Sequence, residues 1–206
     1  MRNSPFPKLL PNFLKRWSPR AFSSEQITDE EINTLFEAAR WSPSCYNEQP
    51  WRFVYATSTE ARERLLSVLS ASNREWANRA PLIIIAFSHM IFNSTQAPNR
   101  WAAFDTGSAW MSLALQAQHL GLVAHAMGGF DEDMVYQITG VDPSEFVAMA
   151  VIAVGHLGDP GTLPAALRSH EKPSDRMGLS DIVYEFRTDQ ESISEHVEID
   201  DDELIS

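Results

Sequence analysis

An α+β domain is what this sequence predicts, and three segments carry the expectation. Pro81-Leu82-Ile83-Ile84-Ile85-Ala86-Phe87 is a continuous, β-branched apolar run, the pattern of a central strand buried on both faces. Phe146 to Val154 is a second strongly apolar strand, closed by Gly155. Between them, Ala102 to Leu120 is rich in Ala, Leu and Met and contains no proline. It predicts the longest and most buried helix, with Gly121 where a C-cap glycine belongs.

The other elements follow in chain order. Thr28-Asp29-Glu30-Glu31 has the Thr-x-x-Glu spacing of a capping box, and Ile32, Leu35, Phe36 and Ala39 continue at helical spacing. That helix should stop by Pro43. Trp51-Arg52-Phe53-Val54-Tyr55 alternates large residues as a strand does. Thr59 to Leu69 returns to helical periodicity, with Leu65, Leu66 and Leu69 as its apolar stripe. Leu122 to Ala126 predicts a short strand ending at Gly128-Gly129, and Asp131 to Ile138 a short helix. After Pro160, Pro, Ser and charged residues dominate until Ile182-Val183-Tyr184. The expected organisation is one domain over 1–188 and an acidic tail over 189–206, extended or disordered.

Bulk composition excludes several classes. The 206 residues suit one sizeable core, and a hydrophobic content of 44% argues against disorder. A formal net charge of -12 argues against broad attraction to nucleic acid or an anionic membrane. The single Cys45 excludes an internal disulfide framework and a multi-thiolate metal site. No apolar run approaches the roughly 20 residues of a spanning helix. Met1-Arg2-Asn3-Ser4-Pro5 has no apolar signal region, so a soluble, cytoplasmic protein is expected.

Two segments concentrate chemistry: Arg16-Trp17-Ser18-Pro19-Arg20, and Pro43-Ser44-Cys45-Tyr46-Asn47-Glu48-Gln49-Pro50-Trp51-Arg52-Phe53. Two arginines around a serine permit two readings. One is a solvated segment making weak surface ion pairs. The other is a phosphate clamp, because the guanidinium fork donates paired hydrogen bonds and keeps its charge.

Five blocks in order bear on that choice. They are Arg16-x-Ser18-x-Arg20; Pro43-Ser44 with Asn47-x-Gln49-Pro50-Trp51; and Asn73 and Trp76 before Ala80-Pro81. Gly121-Leu122 with Gly128-Gly129-Phe130-Asp131, and Arg176-x-x-Leu179-Ser180-Asp181-Ile182-Val183-Tyr184, complete the set. Together, from about Arg16 to Tyr184, they resemble the nitroreductase family of FMN-dependent oxidoreductases. The resemblance implies a mainly antiparallel central sheet flanked by helices, in a homodimer that binds FMN. It implies that Arg16, Ser18 and Arg176 hold the FMN phosphate, with Trp17 in the same block, and that Arg20 points at the flavin pyrimidine edge. Pro43, Ser44 and Cys45 would come from across the dimer interface, Asn47 would join the cofactor-binding set, Asn73 would bond the isoalloxazine, and Gly128 and Gly129 would face flavin N5.

The sequence departs from the family at two places. Trp76 stands where many relatives carry a second basic residue, and Gly128 where some carry an acidic one. No catalytic side chain and no metal is expected, since the cofactor carries the chemistry. The resemblance implies hydride transfer from NAD(P)H through flavin N5 to nitroaromatic, quinone or similar electrophilic acceptors, in ping-pong fashion. The alternatives are a flavin store or sensor without turnover, and a same-fold flavoenzyme of dehalogenase-like or flavin-cleaving type.

Other residues have plainer readings. The histidines show no ligand spacing, and His119 and His125 flank a predicted helix end. Cys45 reads as a small contact near the cofactor, since no adjacent histidine base is visible. Gly155-x-x-Gly158-x-x-Gly161 precedes a proline-containing loop and is no dinucleotide fingerprint. Trp110, Met111, Leu113 and Leu115 read as core, while Tyr46, Phe92 and Phe104 are candidates to line a substrate pocket.

Overall fold

A computed structural model describes Arg2 and residues 4–186, so the expected acidic tail lies outside the described residues. The chain divides into two units, Met1–Pro173 and Ser174–Ser206. The boundary expected at 188 also lies outside the described residues.

In the first unit the sheet has four strands: β1 (Trp51–Ala56), β2 (Leu82–His89), β3 (Leu122–Met127) and β4 (Phe146–His156). Their order is β1-β2-β4-β3, and every neighbouring pair is antiparallel. All of β2 is buried, as its unbroken apolar run requires of a strand covered on both faces. Alternation sorts its side chains: Leu82, Ile84 and Ala86 face one core, Ile83, Ile85 and Phe87 the other. The register slips between Ala86 and Phe87, which brings Ala148 onto the same side as Val151 and Ala153.

One face is covered by α2 (Asp29–Arg40) and α5 (Ala102–His119), through Ile32, Leu35 and Ala39 on the first and Ala109, Leu113 and Ala117 on the second. α2 opens with the capping box: Glu31 N–H donates to Thr28 Oγ1 at 3.2 Å and Thr28 N–H to Glu31 Oε2 at 2.9 Å. α5 ends against Gly121, whose φ of 77° lies in the left-handed region that glycine enters without penalty. The opposite face carries α3 (Thr59–Leu66), α4 (Ala71–Ala77) and α6 (Glu132–Thr139), packed with Ala21 and Phe22. α6 is capped by Asp131, whose carboxylate accepts from Met134 N–H at 2.9 Å.

Three expectations need correction. The helix expected over Thr59–Leu69 ends at Leu66, because the next residues pair with the chain beyond β3. Leu69 bridges Phe130, Asp131 N–H donates to the Val68 carbonyl, and Ser70 N–H donates to Gly129. The second apolar strand runs through Gly155 to His156, with Gly155 paired to Val123. A Cβ at Gly155 would lie 2.7 Å from Pro81 Cδ, so the glycine admits close packing rather than closing the strand. Two short helices were not expected: α1 (Pro11–Lys15), just ahead of the arginine segment, and α4, which carries Asn73 and Trp76. A last turn, α7 (Ala165–Arg168), precedes Glu171. No helix among the described residues is long and apolar enough to cross a membrane.

Candidate functional site

The arginine segment leaves α1 in an extended conformation at Arg16. The Arg16 guanidinium donates to Ser18 Oγ at 3.4 Å, and both residues are part-buried. The side chain of Arg2 donates to the Arg16 carbonyl. Trp17 and Arg20 are also partly buried, and Pro19 is buried. The segment is then clamped from two sides. Arg20 N–H and Ala21 N–H both donate to Glu171 Oε1 at 2.8 Å. His125 Nδ1, on β3, lies 2.9 Å from the Pro19 carbonyl. A carbonyl only accepts, so Nδ1 carries the hydrogen in this contact. Burial pushes the His125 imidazole below its ordinary value, the Pro19 carbonyl opposes that, and the Arg20 charge adds to the depression.

An aromatic stack completes the frame. Phe22 lies 6.2 Å from Trp76 with ring planes 10° apart, and Trp76 lies 4.7 Å from the His125 ring. Trp76 is 2% exposed. Trp76 is therefore a core residue. Asn73 sits nearly one turn earlier on α4, and its Nδ2 donates to the Gly129 carbonyl at 3.3 Å. Ser70 N–H donates to the same carbonyl at 3.0 Å. A Cβ at Gly129 would lie 2.9 Å from Asn73 Nδ2 and 3.3 Å from Ser70 Oγ, so any larger residue would have to displace the Asn73 amide. Gly128 is open, with no atom within 4 Å of where a Cβ would sit, and both glycines are exposed.

The segment from Pro43 forms a strained loop. Pro43 is exposed, Ser44 Oγ accepts from Gln49 N–H at 2.9 Å, and Cys45 N–H donates to the buried Asp105 Oδ2 at 3.0 Å. Tyr46, Asn47 and Gln49 take φ of 52°, 59° and 49°. Asparagine enters this region readily, but tyrosine and glutamine do so at a cost of about 1–3 kcal/mol each. Tyr46 is 87% exposed and meets Phe92 edge-on at 6.2 Å, and Phe92 lies 6.1 Å from Trp101. In the second unit, Arg176 is exposed and donates to Ser174 Oγ at 3.0 Å and to the Asp175 carbonyl at 2.8 Å.

Among the residues expected from sequence, Arg16 and Ser18 meet, as do Asn73 and Gly129. Cys45 is tied instead to Asp105, on α5. Sequence reasoning missed four residues that hold this arrangement: Ser70, Asp105, His125 as an anchor, and Glu171. Asp105 left a signal, a carboxylate inside an Ala- and Leu-rich helix. Glu171 left none. Its partners lie about 150 positions earlier, at separations of 151 and 150.

The chain was compared with known proteins. The sequence model described as "Nitroreductase family" matches residues 14–75 and 68–156. A Rhodopseudomonas palustris (strain TIE-1) protein named "Putative NADH dehydrogenase/NAD(P)H nitroreductase" is 30% identical over 146 residues, covering 62% of this chain and 74% of its own. A solved structure described as an oxidoreductase containing FMN is 38% identical, with a TM-score of 0.83 over 91% of this chain and 96% of that one. A nitroreductase family protein from Streptococcus pneumoniae TIGR4 shares the fold, with a TM-score of 0.70 at 21% identity over 87% of this chain and 100% of its own.

Proposed function

The chain belongs to the nitroreductase family, and on that premise we propose that it is an FMN-dependent oxidoreductase. It takes hydride from NAD(P)H and passes it to a nitroaromatic, quinone or similar electrophilic acceptor in two separate half-reactions. The observation that carries the reading is the pairing of Asn73 with Gly129 beside the open backbone of Gly128. A planar ring needs such an approach: an amide at its edge, and backbone without side chains in front of its reacting atom. The 38% identical structure described as containing FMN supports the same cofactor.

The residues present fit this group. Arg16 and Ser18 put a guanidinium and a hydroxyl side by side in a part-buried setting, the donor chemistry an oxyanion requires. In our reading Arg16 and Ser18 hold the phosphate, with Trp17 beside them. Asn73, Gly128 and Gly129 border the ring. Pro43, Ser44 and Cys45 reach it from a second copy of the chain, and Asn47 belongs to the same cofactor-binding set. When bound, FMN supplies hydride acceptance and donation at its N5. Arg20 stabilises the negative charge that reduction brings to the pyrimidine edge, a cation placed where charge develops. The protein works as a homodimer, and the exposed aromatic rings of Tyr46, Trp101 and Phe104 are consistent with a surface that is covered.

Absorbance of the purified chain, after incubation with FMN and gel filtration, tests the cofactor. Rapid mixing with NADH or NADPH then tests turnover. The expected result is a retained flavin band that bleaches within a turnover time and returns when a quinone is added. A retained band that neither nucleotide bleaches makes the protein a store or sensor. No retained band overturns the reading.

A further inference from the structure

We propose that His125 is a positioning residue: its Nδ1–H tautomer, working against Glu171, sets where the Arg16–Arg20 segment sits relative to Asn73 and Gly128-Gly129. The inference rests on the functional reading for its consequence on FMN, and on geometry alone for the clamp. Three contacts close a ring through His125, Pro19, Phe22 and Trp76, and Glu171 braces it from outside. His125 Nδ1 donates to the Pro19 carbonyl at 2.9 Å, and Glu171 Oε1 accepts from Arg20 and Ala21 at 2.8 Å. Phe22, next in the chain, stacks on Trp76, and Trp76 returns to the His125 ring at 4.7 Å. Asn73, on the same helix as Trp76, grips Gly129. His125 itself lies on β3, which runs directly into Gly128. One imidazole thus joins the segment carrying the two arginines to the strand that delivers the glycines.

The chemistry of the ring explains why histidine suits the position. An imidazole offers a donor at Nδ1 and a flat face for Trp76 in one side chain. The charged groups facing it are Arg20 from the segment and Glu171 from beyond α7. Protonation would charge a ring that is largely buried and faces Arg20, a cost that the Pro19 carbonyl and Glu171 only partly offset, so the clamped state should be least favoured in acid. Glu171 engages the segment through Oε1.

Two substitutions separate the two properties. His125→Asn puts an amide N–H close to the position of Nδ1 and loses the ring. His125→Phe keeps a ring against Trp76 and loses the donor. Hydrogen–deuterium exchange of the full chain, followed on peptides covering residues 17–22, reads the clamp with or without cofactor. His125→Phe should speed exchange there by about five- to tenfold, the effect of one lost hydrogen bond, and Glu171→Ala by more, because it removes the acceptor of two amides. Peptides from β2 should be unchanged, which shows that the fold is intact. His125→Asn should stay nearer the parent protein. FMN titration of the same variants should show affinity falling in the same order. Unchanged exchange at 17–22 in His125→Phe overturns the clamp. Faster exchange with unchanged FMN affinity overturns its role toward the cofactor. If the parent chain binds no FMN, the functional reading fails, and exchange still decides whether His125 holds the segment.

Discussion

Placing a lysine at Trp76 would supply the second basic residue that the family resemblance implies near this position, and the structure says that it should instead damage the fold. Trp76 is 2% exposed, stacks on Phe22 at 6.2 Å, meets His125 at 4.7 Å with the rings tilted by 42°, and belongs to the core between the sheet and α3, α4 and α6. Removing a buried tryptophan side chain costs about 3–5 kcal/mol from lost transfer energy and the cavity left behind. A lysine also brings a charge. Holding it neutral near pH 7 costs about 4–5 kcal/mol, from its reference value near 10.4 at about 1.4 kcal/mol per unit. Extension of the flexible stem toward water recovers part of this. A net loss above about 4 kcal/mol is expected, a large share of the roughly 5–15 kcal/mol that holds a domain together. Urea unfolding followed by far-ultraviolet circular dichroism gives the loss directly, and Trp76→Phe, which keeps a ring in the stack, should lose much less. A Trp76→Lys protein within about 1 kcal/mol of the parent would show that the side chain reaches solvent and that the core assignment is wrong.

Four further outcomes are expected. Arg16→Ala should weaken FMN binding about ten- to a hundredfold in an equilibrium titration, the worth of a charge-assisted hydrogen bond, with lysine rescuing only in part. Arg20→Ala should keep most of its FMN but slow bleaching by NAD(P)H about a hundredfold in stopped flow, near the lower end for electrostatic help in a buried site. Because the folded-state value of His125 is depressed, its contribution to stability is fully present above 6.5 and is lost as pH falls below that value. A pH series of urea midpoints should show that slope flattened in His125→Asn. Gly158→Ala would place a Cβ 2.4 Å from the Phe22 carbonyl carbon, in backbone that cannot turn aside. It should cost about 1–3 kcal/mol or more, measured by thermal melting.

Much of the fold was legible because its signals are local. The capping box at Thr28, the unbroken run of β2, the left-handed Gly121 and the Asp131 cap each depend on neighbours within a few positions. Backbone hydrogen bonding and apolar periodicity encode them directly. The candidate site was legible only as blocks in order, whose chemistry pointed to an oxyanion and a close backbone approach. What tertiary structure alone decided is how those blocks are held. Leu66 ends its helix because Val68, Leu69 and Ser70 pair with the chain near Gly129. Trp76 turns inward because Phe22 and His125 wait there. His125 reaches a carbonyl at a separation of 106 positions, and Glu171 reaches two amides at 151 and 150. Contacts at that range leave no periodicity in the sequence, because they are set by which elements the folded sheet brings together and not by the residues on either side.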